Sequence, residues 1–270
     1  MGVLVPFNGI DGLGVQSLPS LDIDWGSTFA QALKTCVVWS EGEYPHDLVT
    51  GMICLQNNPG FQRSRMLASG MGAGYQGYWT IGTAAQVYAA NSTFLIGRQL
   101  QATGGANSHF GDGTLNCHMP WSDNNIYFDY PSGADRVSVA MTPTTGLELF
   151  VLHGGVRGRG IWLNNRNLLT VTTPTSTASP GASAFKINSG ASTDAPEWMY
   201  LWASWGRQLM NAEIIDLLRD PYGCLFGTPR LISAVASPTS PPPPPPSVTY
   251  PQLERGIRGL ARGITLGRAA

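Results

Sequence analysis

Short apolar runs separated by turn signals fill the middle of the chain. In Arg136–Met141 polar and apolar residues alternate, which is the period of a half-buried strand. Turn residues such as Pro131–Gly133 and Asn164–Asn165 recur about every 8–12 residues, a spacing typical of a sandwich or barrel. Further strands are predicted at Cys36–Trp39, Trp79–Ile81, Thr93–Ile96, Asn125–Tyr130, Leu147–His153, Ile161–Leu163, Leu168–Val171 and Trp198–Ala203.

Between these runs the pattern predicts loops and one helix. The predicted loops are 102–113, 154–160 and 172–184. The Gly-rich segment 154–160 lies between strands and lacks the Lys-Ser/Thr of a phosphate-binding loop, so it is predicted to be a hairpin loop. In the helix, Asn211 is the predicted N-cap and Glu213 lies in the first turn. Pro221 ends the helix, because the residue before a proline avoids helical geometry. The apolar side of this helix consists of Ile214, Ile215, Leu217 and Leu218.

Composition supports an all-β chain and argues against several functional classes. Gly (33) and Pro (20) interrupt helices, and only 12% of the residues are charged. Eight Trp, nine Tyr and nine Phe, in a chain that is 43% hydrophobic, are enough to bury a core. The net charge of −1 argues against a nucleic-acid partner. No apolar stretch reaches the roughly 18 residues of a membrane span, so no membrane partner is expected.

Neither a secretory leader nor a cysteine motif is expected from the sequence. Met1–Asp11 lacks the basic and apolar regions of a signal peptide. The four cysteines are widely spaced and form no CxxC pair, which argues against a zinc site and favours buried, reduced thiols. The spacing alone leaves a disulfide open. The cysteines are Cys36, Cys54, Cys117 and Cys224.

The composition changes abruptly near residue 233. Ser237–Ser247 contains six consecutive prolines, which form a stiff polyproline II segment of about 3.1 Å per residue. From Ser247 onward the tail carries four Arg against one Glu, a net charge of +3, which leaves −4 on the rest of the chain. The predicted organisation is an N-terminal arm or first layer at 1–34, a β-sandwich at 35–230, a Pro-rich linker at 231–251 and a basic amphipathic anchor at 252–270.

The tail after the prolines has a helical pattern. At about 100° per residue its apolar side chains share one side and its arginines lie opposite. Gly256, Gly259 and Gly263 each lower helix stability by about 1 kcal/mol, so the segment is predicted to fold only on docking. A frayed basic tail is the alternative. The residues predicted to bind a partner are Leu253, Arg255, Ile257, Arg258, Leu260, Arg262 and Ile264.

Four segments, in this order, resemble one superfamily of β-sandwich domains. They are His46–Gly51 (HDLVTG), Trp121–Tyr130 with the following Ala134–Val139, Gly160–Asn165 (GIWLNN), and Trp202–Phe226, which contains LMNAEI and DPYGCLF. Together they are similar to the concanavalin A-like jelly-roll superfamily, in the laminin-G-like form found in virion structural proteins of tailed phages. The resemblance covers roughly 36–228. It implies an all-β jelly-roll sandwich with one short C-terminal helix, followed by the polyproline linker and the C-terminal tail.

The same resemblance implies a function. It favours a non-enzymatic structural protein on the surface of a phage particle, assembled in the host cytoplasm. Capsid decoration is the preferred role, with the major capsid protein or a fibre or tail component as the partner, and a homo-oligomer is expected. The alternative is a carbohydrate-binding, lectin-like module of a tail or head fibre that recognises a host-surface glycan.

Candidate chemistry along the chain is sparse. Glucanases of this fold use two or three carboxylates at alternate positions of one strand. Only the pairs Asp22/Asp24 and Glu41/Glu43 approach that spacing, and neither has a third acid, so no enzymatic activity and no cofactor are predicted. Oxygen ligands for calcium are offered by Asp112, Asp123, Asn124 and Asp129, although the same residue types suit plain turns. The candidates for stacking on a sugar are Trp79 and Trp121.

Overall fold

The computed structural model describes residues 22–39, 45–56, 65–67, 70–75, 79–100, 109–176, 180–187 and 197–226. The chain divides into two units, 1–229 and 230–270, and all described residues belong to the first. The predicted linker and anchor, residues 1–21 of the predicted arm, and the Glu41/Glu43 pair lie outside the described residues. No helix in the described ranges is long and apolar enough to cross a membrane.

The described residues form fifteen strands and three short helices. The strands are β1 (Leu33–Val38), β2 (Leu55–Gln56), β3 (Arg65–Leu67), β4 (Gly70–Tyr75), β5 (Trp79–Thr83), β6 (Ser92–Leu100), β7 (His109–Gly111), β8 (Asn116–His118), β9 (Asn125–Asp129), β10 (Arg136–Ala140), β11 (Leu147–Gly155), β12 (Gly158–Leu163), β13 (Arg166–Val171), β14 (Ala184–Ile187) and β15 (Glu197–Trp205). The helices are α1 (Ala84–Val87), α2 (Asn211–Arg219) and α3 (Pro221–Phe226), with 3₁₀ turns at Thr28–Ala30 and Gly133–Asp135.

Two antiparallel sheets pack face to face. The eight-stranded sheet has the order β13-β12-β11-β6-β15-β4-β3, and β1 also pairs with β15. The seven-stranded sheet has the order β10-β9-β8-β7-β14-β5-β2. Strands distant in sequence lie side by side in both sheets, as in Greek-key connections. The architecture confirms the predicted all-β jelly-roll sandwich.

Aromatic side chains fill the space between the sheets. The ring centroids of Phe94 and Phe185 are 6.5 Å apart in a stacked arrangement, and those of Phe110 and Trp202 are 5.2 Å apart, edge to face. Such pairs add about 0.5–1.5 kcal/mol each beyond the area they bury. Trp79 belongs to this core, with only 1% of its surface exposed. The expectation that Trp79 offers a surface for sugar stacking is therefore wrong.

A second apolar cluster covers the outer face of the eight-stranded sheet. It is formed by side chains of the sheet together with α2, α3 and the irregular segment 22–32. Ile23 of that segment belongs to the same cluster as Trp205 of β15. The backbone N–H of Asp24 donates to the Leu225 carbonyl (2.9 Å), which fixes the segment to α3. Within the described residues no comparable cluster covers the outer face of the seven-stranded sheet.

One ion pair is buried between the sheets. Arg98 in β6 donates through Nε (3.2 Å) and Nη2 (2.9 Å) to Oε2 of Glu148 in β11, and its guanidinium lies 4.8 Å from the centroid of the Phe150 ring. Thr144 Oγ1 donates to the other carboxylate oxygen at 3.2 Å. The side chains of Arg98 and Glu148 are 0% and 2% exposed, so neither charge is solvated by bulk water.

The C-terminal helices differ from the prediction in two details. Met210, not Asn211, is the N-cap of α2. Methionine has no side-chain oxygen to cap the helix, and the hydrogen bond at this end is instead made by the Glu213 carboxylate, which accepts the Met210 N–H (2.7 Å). Pro221 begins a second short helix, α3, after α2 has ended at Arg219. A proline is well suited to the first helical position, where its missing N–H is not needed.

The Gly-rich stretch 154–160 is a hairpin, as predicted, but its loop is shorter than the glycines suggest. β11 extends to Gly155 and β12 starts at Gly158, so only two residues form the turn. Gly158 has φ = 89°, and a Cβ there would overlap the Val171 carbonyl oxygen. The predicted turn at Asn164–Asn165 is confirmed, with φ values of 47° and 69°.

The cysteines agree with the expectation of reduced thiols. All four are free. Cys36, Cys54 and Cys117 are buried, and Cys224 is half-buried.

Candidate functional site

The two-residue period of β8 and β9 separates core side chains from outward-facing ones. In β9, Ile126 and Phe128 are fully buried in the inter-sheet core, whereas Tyr127 between them points outward and is half-buried. In β8 the buried Cys117 is followed by the half-buried His118 in the same way. The outer face of the seven-stranded sheet therefore carries polar and aromatic side chains.

Strand register and the turn between β8 and β9 bring four rings together. Tyr127 lies directly opposite His118, which lies directly opposite His109 in the next strand. The ring centroids of His109 and His118 are 4.5 Å apart, and those of His118 and Trp121 are 4.2 Å apart, edge to face. We name these four residues the aromatic row.

Trp121 is the most exposed ring of the row, at 38%. It lies in the turn between β8 and β9, where its N–H donates to the Asn125 carbonyl (2.8 Å) and its carbonyl accepts the Asn124 N–H (2.9 Å). Asn124 has φ = 62°, a left-handed conformation that asparagine tolerates. The turn thus presents Trp121 at the end of the row on a well-defined backbone.

Tyr127 is held from two sides. Its hydroxyl donates to Oδ2 of Asp123 (2.6 Å), and this hydrogen bond lowers the pKa of Asp123 and raises that of Tyr127. The Arg136 guanidinium lies 5.3 Å from the centroid of the Tyr127 ring. Arg136 is itself fixed by Asp129, through Nε to Oδ1 (2.6 Å) and Nη2 to Oδ2 (2.8 Å).

The two histidines are neutral at pH 7. Burial lowers the pKa of His118 to about 4, and the charge that His109 would carry lowers it further in the same direction. Burial is also the main cause that lowers the pKa of His109, although its hydrogen bond with Asn116 acts in the opposite direction. Nδ1 of His118 has no hydrogen-bond partner within the described ranges.

The four calcium candidates do not converge on one point. Oδ1 of Asp112 accepts the N–H groups of Thr114 (3.0 Å) and Leu115 (2.9 Å), as a turn residue does. Asp123 and Asn124 form the β8–β9 turn, and Asp129 is the partner of Arg136. Among the described residues no group of three or more His, Cys, Asp or Glu side chains is arranged to hold a metal ion. The turn interpretation accounts for Asp112, Asp123 and Asn124.

The other predicted residues lie apart from the aromatic row. Trp79 is in the core, and Asp22 and Asp24 lie in the irregular segment on the opposite side of the sandwich rather than in a strand. The seven residues predicted to bind a partner, Leu253, Arg255, Ile257, Arg258, Leu260, Arg262 and Ile264, lie outside the described residues.

Comparison with known proteins shows similarity in fold alone. No family model matches the chain, and no curated protein matches it. Domain 4 of AbnA, an extracellular arabinanase from Geobacillus stearothermophilus solved with arabinotriose, has a TM-score of 0.56 at 11% identity, covering 69% of this chain and 98% of that one.

Two further solved structures are similar over only part of their own length. A Trypanosoma rangeli sialidase in complex with sialic acid has a TM-score of 0.53 at 15% identity, covering 69% of this chain and 32% of the sialidase. The binding domain of botulinum neurotoxin DC, in complex with SialylT, has a TM-score of 0.50 at 9% identity, covering 71% of this chain and 52% of that one. These similarities lend no support to a phage origin, which stays a prediction from the sequence motifs. They place this chain among β-sandwich domains of the jelly-roll kind.

Proposed function

We propose that this chain is a non-enzymatic carbohydrate-binding module whose ligand lies on the aromatic row. The observation that carries the proposal is the row itself, with four aromatic rings side by side on the partly exposed face of one sheet. Sugar rings stack their C–H faces on aromatic side chains, while their hydroxyl groups require polar partners nearby. Asn116, Asn125 and Asp123 lie on or beside the row and offer such partners.

The dimensions of the row fit an oligosaccharide. Together with Arg136 it crosses β10, β9, β8 and β7, which amounts to about 14 Å at a strand spacing of about 4.8 Å. That length exceeds one sugar ring. The solved structures with sialic acid and arabinotriose concern similar folds and give the proposal general support.

Binding is favoured over cleavage by the carboxylates of this face. Glycoside hydrolysis usually needs one carboxyl group with a raised pKa as the acid and a second as base or nucleophile. Asp123 has a lowered pKa because Tyr127 donates to it, and Asp129 is engaged by both nitrogens of the Arg136 guanidinium edge. Neither carboxylate is arranged as a general acid.

We further propose, on the sequence motifs alone, that the module is displayed on a phage particle as part of a head or tail fibre. In this arrangement the sandwich contacts a host-surface glycan, and the predicted anchor at 252–270 contacts another virion protein. Several copies on one particle would strengthen weak individual contacts through avidity.

The test is a glycan microarray probed with the full chain, the Trp121→Ala variant and the Trp25→Ala variant. Trp25 is also an exposed tryptophan, at 61%, but lies in segment 22–32 away from the row, so it is the matched control. Loss of a well-packed aromatic contact costs about 2 kcal/mol, roughly a thirtyfold loss of affinity. We expect Trp121→Ala to lose binding and Trp25→Ala to retain it. Absence of glycan binding by the full chain, or equal losses in both variants, would refute the proposal.

A further inference from the structure

The charges that act on the aromatic row cancel. Among the described residues, Arg136 and Lys186 are the cationic side chains that act on its histidines and tyrosine, and Asp123 and Asp129 are the anionic ones. Two positive and two negative charges sum to zero. These described charges therefore give the face no net charge of either sign.

The charge of Arg136 is already balanced by a carboxylate of the sheet. Its Nε–Nη2 edge, which binds carboxylates with two parallel hydrogen bonds, is already occupied by Asp129 at 2.6 and 2.8 Å. Asp129 is only 3% exposed, so the pair cannot exchange partners without leaving a buried carboxylate unpaired. An incoming acidic sugar would have to displace Asp129, or bind the remaining Nη1 side of the guanidinium with the Asp129 charge close by.

The histidines add no positive charge at neutral pH. Their rings are 4.5 Å apart, so an imidazolium at either position would lie against the other ring and on the same face as Arg136 and Lys186. The lowered pKa values of both residues agree with this geometry. At pH 7 the row consists of neutral rings.

We infer that the ligand class of the aromatic row is an uncharged oligosaccharide rather than a sialylated or uronate-containing one. The inference rests on the proposed function and specifies it. A neutral sugar needs only stacking and hydroxyl hydrogen bonds, and the row offers both. A carboxylated sugar loses hydration on binding, and the two described cations near the row, whose charges are balanced by Asp123 and Asp129, offset that loss only in part. This choice separates the module from the neighbours solved with sialic acid or SialylT.

The experiment compares matched probes at pH 7.4 on one array with the full chain. The neutral probes are arabinotriose and lactose, with other neutral oligosaccharides beside them, and the charged probes are sialyllactose and uronate-terminated versions of the same series. We expect at least a tenfold preference for neutral members of matched pairs. A preference for the charged members overturns the inference while the proposed function stands. Binding to no probe at all overturns both.

A charge-neutralising variant tests the reason as well as the result. Asp129→Asn frees the Arg136 edge and removes one negative charge, so we expect its ratio of charged to neutral binding to rise at least fivefold. Asp135→Asn is the matched control. Asp135 lies in the 3₁₀ turn after β9, outside the row, and its Oδ1 is 3.8 Å from Nη1 of Arg159. Asp123→Asn is a second variant, at an exposed position, that serves if Asp129→Asn does not fold. Its ratio of charged to neutral binding should also rise. An unchanged ratio in the soluble variants overturns the charge argument.

Discussion

Removal of one partner of the buried Arg98–Glu148 pair is expected to destabilise the protein strongly. In Glu148→Gln the side-chain shape is kept, but the Arg98 guanidinium, with no exposed surface, loses the negative charge that offsets its burial. Two hydrogen bonds, at 2.9 and 3.2 Å, change from charged to neutral acceptors. Comparable losses in other buried pairs cost about 3–5 kcal/mol.

Replacing both partners with apolar residues should cost far less. In the double variant Arg98→Met/Glu148→Leu no charge is left buried, and Phe150, whose ring lies beneath the guanidinium, gains an apolar neighbour. Exchanges of this kind are often neutral or stabilising. We therefore expect the double variant to lie within about 2 kcal/mol of the unmodified protein, which requires a large favourable coupling between the two substitutions.

Urea unfolding followed by tryptophan fluorescence measures these differences. With an m-value near 3 kcal/mol per M, a loss of 3–5 kcal/mol lowers the midpoint by roughly 1–1.7 M. Arg166→Met, at an exposed position of an edge strand, is the control and should change the stability by no more than about 0.5 kcal/mol. The reasoning is refuted if Glu148→Gln shifts the midpoint no more than the control does. It is also refuted if the double variant loses as much stability as the single variants Arg98→Met and Glu148→Leu lose together.

Three further predictions concern pH, the backbone and thiol chemistry. Folding lowers the pKa of His118 from 6.5 to about 4, so between these pH values the unfolded chain binds a proton that the folded chain does not. Lowering the pH from 7 to 4.5 should therefore lower the melting temperature, and this decrease should be smaller in His118→Gln. Gly158→Ala should lower the urea midpoint clearly, whereas Gly181→Ala, in open space, should leave it nearly unchanged. The native protein should react slowly with a thiol reagent, because burial raises the thiol pKa values. Cys224 should react first, since it is half-buried and the other three cysteines are buried, and rapid reaction of more than one thiol would contradict this burial pattern.

Much of the fold was predictable because it depends on local patterns. The alternation in Arg136–Met141 and the apolar run Trp198–Ala203 correspond to β10 and β15 within a few residues. β7 and β8 were not predicted, because three residues are too few to establish a two-residue period. The hairpin at 154–160 was predictable, but the two-residue length of its turn was not, because its glycines suit a longer loop equally well, whereas Gly158 meets a steric requirement of the tight turn.

The aromatic row was less accessible from the sequence. His109, His118 and Tyr127 come from three strands, and only the pairing register places their rings side by side. Dispersed histidines carry no signal until that register is known. Trp79 and Trp121 looked alike as sugar-stacking candidates, since tryptophan occurs both in cores and at binding surfaces, and tertiary packing alone separates them.

The open outer face of the seven-stranded sheet has a consequence for how this protein can diversify. Alternate residues of β8 and β9 serve separate purposes: the inward ones hold the two sheets together, and the outward ones meet whatever lies against the sheet. Substitutions at Asn116, His118 or Tyr127 can therefore change the surface while the aromatic interior stays intact. The eight-stranded sheet is covered on its outer face over β1, β6, β11 and β15, and these strands offer no such latitude. New recognition properties should therefore arise on the outer face of the seven-stranded sheet, while the eight-stranded sheet keeps its packing.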